Sequence, residues 1–256
     1  MLEFLSAFSA FVGRGWSRPL IVGALLLGLW TGLSRAGLTP RRRWIVMASV
    51  GIPLIAWMFA ALELAQGGVF RPGASTVPAI PLAVLIPLII GLPLLLRSQS
   101  IAAALDAVPA SWLIGLQVYR VLGAVFLARW AAGELPGAFA LPAGIGDTLV
   151  GALALPVAFY VHSRGRDGIA AAVRWNLLGI ADLVTALSMG AMTVPGPLQR
   201  FALDFPNTGV GTYPLAMIPA FAVPLSLILH GLSLWQLRRR NSTPHAGSAV
   251  PLPRGW

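Results

Sequence analysis

Stretches of about twenty apolar residues recur along this chain, separated by arginines and by Pro, Gly and Ser. A helix of that length crosses the ~30 Å hydrocarbon core of a bilayer. In lipid every backbone N–H and C=O must be satisfied inside the protein, and a helix does this within one segment. The sequence is 57% hydrophobic and 10% charged, against roughly 25% charged in soluble domains. A water-soluble core could not hide that much apolar surface. The expected fold is therefore an all-α integral membrane bundle of about seven transmembrane helices, spanning 1–237, with a disordered cytoplasmic tail at 238–256.

The spans read as 17–33, 44–65, 77–96, 111–132, 141–161, 169–192 and 210–237. Residues 1–12 are too short to cross and read as interfacial, as do residues 100–110, stopped near Pro109. No small-x-small cleavage pattern precedes a soluble segment, so the first run reads as a retained span.

All eighteen cations are arginine. Twelve fall in the segments that seven spans put on one side: Arg35, Arg41, Arg42, Arg43, Arg97, Arg164, Arg166, Arg174, Arg238, Arg239, Arg240 and Arg254. Five fall on the other: Arg14, Arg18, Arg71, Arg129 and Arg200. The arginine-rich side is expected to be cytoplasmic, which puts the N-terminus outside and the C-terminus inside. Trp16, Trp44, Trp112, Trp130, Trp175 and Trp235 fall at span ends, as an interfacial belt does. The expected location is the cell's inner membrane, with the lipid bilayer as partner. The net charge of +10 is a topology signal and points to no nucleic acid.

Several chemistries drop out. There is no cysteine, so no disulfide, thiolate catalysis or iron–sulfur ligation. There is no lysine, which excludes a Schiff base to retinal. Three histidines, one of them His245 in the tail, give no metal or haem set. No cofactor is expected.

The residues left to explain are those placed where charge is expensive. Arg120 falls mid-span in the fourth span and Asp182 in the sixth. Asp147 lies in the outer part of the fifth. Each central charge costs roughly 2.5–3.5 kcal/mol on insertion scales, so these groups are expected to face inward and pair. One cation faces two carboxylates. If Arg120 forks to one aspartate, the other must be protonated, hydrogen-bonded or bound to a cation. Gln117 and Tyr119 accompany Arg120; Asn176 and Thr185 accompany Asp182. Together they form one candidate polar seam. His230 reads as lying toward the inner end of the last span, within reach of the headgroups, with a role at the site as the alternative.

The densest motif runs from Pro142 to Gly151. Gly144 and Gly146 let another backbone approach, and Gly151 stands one turn beyond Asp147. Gly144-Ile-Gly-Asp147 resembles the Gly-x-Gly-Asp motif of intramembrane aspartyl proteases. That resemblance implies Asp147 as one catalytic aspartate, with Asp182 its only mid-span partner. The family's other aspartate lies in an earlier span, where this chain has Tyr119-Arg120. Helix packing is the simpler expectation for the glycines.

Prolines cluster in the third and seventh spans. Pro81-Leu-Ala-Val-Leu-Ile-Pro87 and Pro214-Leu-Ala-Met-Ile-Pro219 suggest a faint parallel repeat of three helices. Residues 193–209 form a long loop, read as packing over the helix ends. Gln117-Val-Tyr-Arg120, the stretch from Leu135 to Asp147, Asn176 with Asp182, and the stretch from Val223 to His230 resemble a group of bacterial integral membrane proteins without an established activity.

The functional expectation is a small-molecule or proton-linked transporter with a midplane Arg/Asp site. The alternatives are an intramembrane enzyme using the two aspartates as an acid/base pair, and a non-catalytic scaffold or complex subunit.

Overall fold

The computed structural model describes residue 15, residues 17–74 and residues 77–242. The interfacial segment expected at 1–12, Arg14, Trp16 and residues 243–256 of the expected tail lie outside the described residues. Among the described residues every regular element is helical.

Helix α1 is Ser17–Arg35 and α2 is Pro40–Gln66. Pro40 starts α2 at a position whose N–H would have no helical partner anyway. Helix α3, Ala79–Arg97, follows. A short amphipathic helix, α4, spans Gln99–Asp106; Ser98 caps it by accepting the Ile101 N–H at 3.3 Å. It buries Ile101, Ala104 and Leu105 on one face. Helix α5 is Ser111–Ala131, α6 is Gly137–Arg164 and α7 is Ile169–Thr193. The last helix, α8, is Val223–Ser242. It runs five residues into the segment expected as tail.

Six helical runs are long and apolar enough to cross a membrane. The longest, Gly137–Thr193, has 57 residues and contains two of the expected spans. Straight, it would measure about 85 Å. Instead Gly165, at φ +54°, ends α6 in the left-handed region, and a 3-10 turn at Gly165–Gly168 leads into α7. The two helices then lie side by side, and Trp175 Nε1 donates to the Val150 carbonyl at 3.2 Å.

Prolines shape two other helices. In α3 a π-helical turn covers Pro87–Gly91, and another at Ile218–Ala222 precedes α8. Each turn is closed by the N–H of the residue after it, Leu92 to the Pro87 carbonyl and Val223 to the Ile218 carbonyl. The next residue is Pro93 in one case and Pro224 in the other. Proline has no N–H, so the ordinary i→i−4 bond is missing there. Trp57 Nε1 of α2 donates to the orphaned Ala220 carbonyl at 3.2 Å. The two proline-bearing spans thus share a π turn ahead of a proline. This lies in a different register from the sequence likeness at Pro81–Pro87.

Tertiary packing is uneven. Only 6% of the apolar stretch of α3 is buried, and 22% in each of α1 and α2. The figure is 50% in α5 and 67% in the run ending with α8. Between α1, α2, α3, α4, α8 and the start of α5 lies an apolar cavity of about 500 Å³. Sealed and empty, a void of that size would cost on the order of 12 kcal/mol, comparable to the whole stability of a domain.

Candidate functional site

The site begins with a local departure from α-helix in α5. Residues Leu116–Gly123 form a 3-10 helix between two α-helical segments. In a 3-10 helix residues three apart eclipse one another. Gln117, Arg120 and Gly123 therefore stand in one column, and these are the residues of the segment that are buried. Gly151 of α6 makes room for this column: a Cβ there would collide with the Arg120–Val121 peptide.

Arg120 meets both aspartates. Its Nε donates to Asp147 Oδ1 at 2.8 Å, and Nη2 lies 2.8 Å from the same oxygen. Nη2 also donates to Asp182 Oδ2. The remaining nitrogen, Nη1, donates to the Gly179 carbonyl at 3.3 Å and faces His230 Nε2 at 3.0 Å. The Arg120 side chain is 1% exposed. The expected fork to a single aspartate is thus replaced by one guanidinium bridging two. The reason is geometric: the carboxylates reach it from two helices, Asp147 from α6 and Asp182 from α7.

Glycines hold that approach open. A Cβ on Gly146 would occupy the place of the Asp182 carboxylate. One on Gly123 would meet Asp147 Oδ2 at 2.7 Å, and one on Gly179 would overlap the His230 ring. Gly144, by contrast, receives Leu127, a packing contact only.

His230 is fully buried, which corrects the headgroup placement. The helix continues to Ser242, so His230 stands near the middle of its span. Its tautomer follows from its neighbours. Arg120 can only donate, so Nε2 must accept. The Asn176 amide donates to the Ala172 carbonyl at 2.8 Å and faces Ser233 Oγ at 3.0 Å, which fixes Asn176 Oδ1 toward the ring. His230 Nδ1–H then donates to Asn176 Oδ1 at 2.9 Å. A hydrogen on Nδ1 leaves no acceptor for Gln117, whose amide lies 3.2 Å away. The Gln117 oxygen therefore belongs on the side facing His230. His230 is accordingly the neutral Nδ1–H form, bridging Arg120 and Asn176, and Trp175 packs on its ring at 5.1 Å.

The other expected residues separate. Tyr119 turns to a neighbouring position, where its hydroxyl pairs with Ser226 Oγ at 2.7 Å. Thr185 is not brought to the cluster: it is exposed and donates to the Ala181 carbonyl of its own helix at 2.9 Å. Gly123, Gly179, Ser226 and Ser233 belong to the site or its support and were not singled out in the sequence. Gly123 follows Arg120 by three residues and Gly179 precedes Asp182 by three. A glycine one turn from a mid-span charge is the signal that could have found both.

A cavity of about 70 Å³ reaches Tyr119, Arg120, Asp147 and Ser226. It also touches Ser17 and Arg18 at the start of α1 and Pro214, so it lies toward the end opposite the arginine-rich one. Arg18 donates to the Tyr213 hydroxyl at 3.1 Å beside it. The volume is that of a few water-sized positions. Among the described residues no group of three or more His, Asp or Glu could hold a metal ion.

With His230 neutral, the cluster counts one positive and two negative groups when both aspartates are ionised. It carries one excess negative charge in mid-span. Such a charge calls for a proton or a small cation. Asp147 Oδ1 and Asp182 Oδ2 both meet Arg120 at its Nη2, so the guanidinium gathers the two carboxylates at one nitrogen.

Residues 75–238, more than half of the chain, match the model of a domain of unknown function (DUF8737), and the chain belongs to that family. No curated protein and no solved structure matches it. Every residue of the Arg120 cluster lies within the matched region.

Proposed function

We propose that this DUF8737 member is a proton- or cation-linked carrier of small solutes in the cell's inner membrane. In this reading it makes seven crossings, with the N-terminus outside and the arginine-rich end in the cytoplasm. The observation that carries the proposal is Arg120 bridging Asp147 and Asp182 at the foot of a small cavity. One excess negative charge there binds a proton or cation, and a group able to engage Arg120 in place of an aspartate would release it. The irregular backbone supports movement: the 3-10 segment carries Arg120, and the two π turns flank the cavities. Discontinuous helices of this kind build many transporter sites.

The test is flux. In liposomes loaded with a pH-sensitive dye, a panel of small anionic, zwitterionic and cationic solutes is applied across the reconstituted protein. At least one should drive an internal pH change or cation uptake that Asp147→Asn and Asp182→Asn abolish. Solute movement indifferent to both substitutions would rule the carrier reading out.

A structural role is the second reading, favoured by one observation: each nitrogen of Arg120 already has a partner. It predicts that Arg120→Met combined with Asp147→Asn and Asp182→Asn keeps both fold and phenotype, since a buried ion cluster replaced as a unit can be neutral.

A further inference from the structure

The large apolar cavity has a mouth and a chemically distinct rim. Ser49 and Pro53 of α2 line it, and so do Ile86, Ile90 and Leu94 of α3. These same residues are exposed on the outside of the bundle. The cavity therefore opens sideways between α2 and α3, toward the lipid.

Its depth matches one leaflet. The lining runs from Leu25 to Gly32 on α1, from Ser49 to Trp57 on α2 and from Ile86 to Leu95 on α3. At 1.5 Å per residue these stretches measure about 12–15 Å, half of the ~30 Å hydrocarbon core. On α1 and α3 they lie in the half nearer Arg35 and Arg97; on α2 the stretch is centred on Pro53, at the middle of the helix. The lining is almost wholly apolar, so the space suits hydrocarbon and not water.

Both sides of the mouth end in arginine. On α2, Arg42 stands seven residues before Ser49, two turns along the same helical stripe. On α3, Arg97 stands three residues after Leu94. Both arginines are exposed. Arg42 donates to Ser100 Oγ at 3.2 Å, and neither forms an ion pair with a carboxylate among the described residues. At the back, the Arg35 guanidinium lies over Trp112, a cavity-lining residue, at 4.8 Å.

We propose that this cavity holds one acyl chain of an anionic phospholipid, with the lipid phosphate bound between Arg42 and Arg97. The apolar slot accounts for the chain, and unpaired cations on both rims account for the charge. The proposal is independent of the carrier reading. It concerns different residues and holds whether or not the Arg120 cluster moves protons.

The full chain, purified in mild detergent, can be exposed to an equal mixture of dioleoyl phosphatidylglycerol and dioleoyl phosphatidylcholine and examined by native mass spectrometry. One phosphatidylglycerol should be retained in preference. Gly28→Leu fills the slot where a Cβ meets only Leu116, at 3.8 Å. It should lower retention about tenfold. The pair Arg42→Gln with Arg97→Gln changes only exposed residues and should abolish the preference while leaving some phosphatidylcholine bound. Equal retention of both lipids by the wild type would overturn the proposal. So would a preference unmoved by the arginine pair, or retention unmoved by Gly28→Leu in protein that still elutes as a folded species.

Discussion

Helices α1 to α3 and helices α5 to α8 meet the membrane differently. The first three are thinly packed, and α3 buries only 6% of its apolar stretch. They form one wall of a large apolar cavity with few polar atoms. The later helices pack closely, are notched by glycine, and bury Gln117, Arg120, Asp147, Asn176 and His230 together. Without a hydrophobic force between helices in lipid, small residues and polar contacts bring spans together. The second group has both at its centre. The first group has glycines too, but Gly23 has nothing within 4 Å of an added Cβ. Glycine alone therefore does not close a bundle; it needs a neighbour to fill the notch, and at Gly123, Gly146 and Gly179 that neighbour is a polar side chain. The family match, 75–238, covers the tight group with α3 and leaves out α1 and α2.

The contrast breaks most sharply at Arg120. Arg120→Met leaves two carboxylates buried together and should cost about 3–5 kcal/mol. Arg35→Met, at an exposed helix end over Trp112, should cost under about 1 kcal/mol. Reversible unfolding in mixed micelles measures both, and equal losses would erase the distinction between the two regions.

Core packing gives the next largest difference. Phe221 is 2% exposed and stacks on Trp57 at 4.8 Å, whereas Phe59 is 52% exposed. Phe221→Ala should cost about 3–5 kcal/mol and Phe59→Ala no more than about 0.5 kcal/mol, by the same unfolding measurement.

A smaller loss is expected at His230. His230→Phe keeps the ring but leaves Asn176 Oδ1 without a partner and Arg120 Nη1 with the Gly179 carbonyl alone, at about 1–3 kcal/mol. A histidine that merely filled space would tolerate the change, and the unfolding midpoint would stay in place. The smallest effect belongs to Asp106, whose pair with Arg239 at 2.5 Å is 41% exposed on both sides. Asp106→Asn should change stability by less than about 1 kcal/mol and become neutral in high salt.

Much of this was legible in the sequence. Apolar length located the helices to within a few residues at most ends, because a bilayer sets span length almost regardless of tertiary detail. The last span was the exception. Its start was placed at 210, yet a cis Tyr213–Pro214 bond and turns occupy that stretch, and the helical run begins at Ile218 instead. That shift displaced His230 from the core to the headgroups in the sequence reading. The cost of charge in lipid also brought Arg120, Asp147 and Asp182 into one hypothesis. What it could not supply was the bridging, which depends on the 3-10 column of α5. Helical spacing suggested Thr185 as a neighbour of Asp182, but Thr185 is exposed and its hydroxyl is taken up by the Ala181 carbonyl of its own helix.

The most direct test of the account is a pair of double-mutant cycles on stability, coupling Arg120→Gln with Asp147→Asn and, separately, with Asp182→Asn. A guanidinium bridging both carboxylates predicts coupling of about 1–3 kcal/mol in each cycle. Coupling confined to one aspartate, with the other below about 0.3 kcal/mol, would contradict it and leave the second carboxylate without its partner.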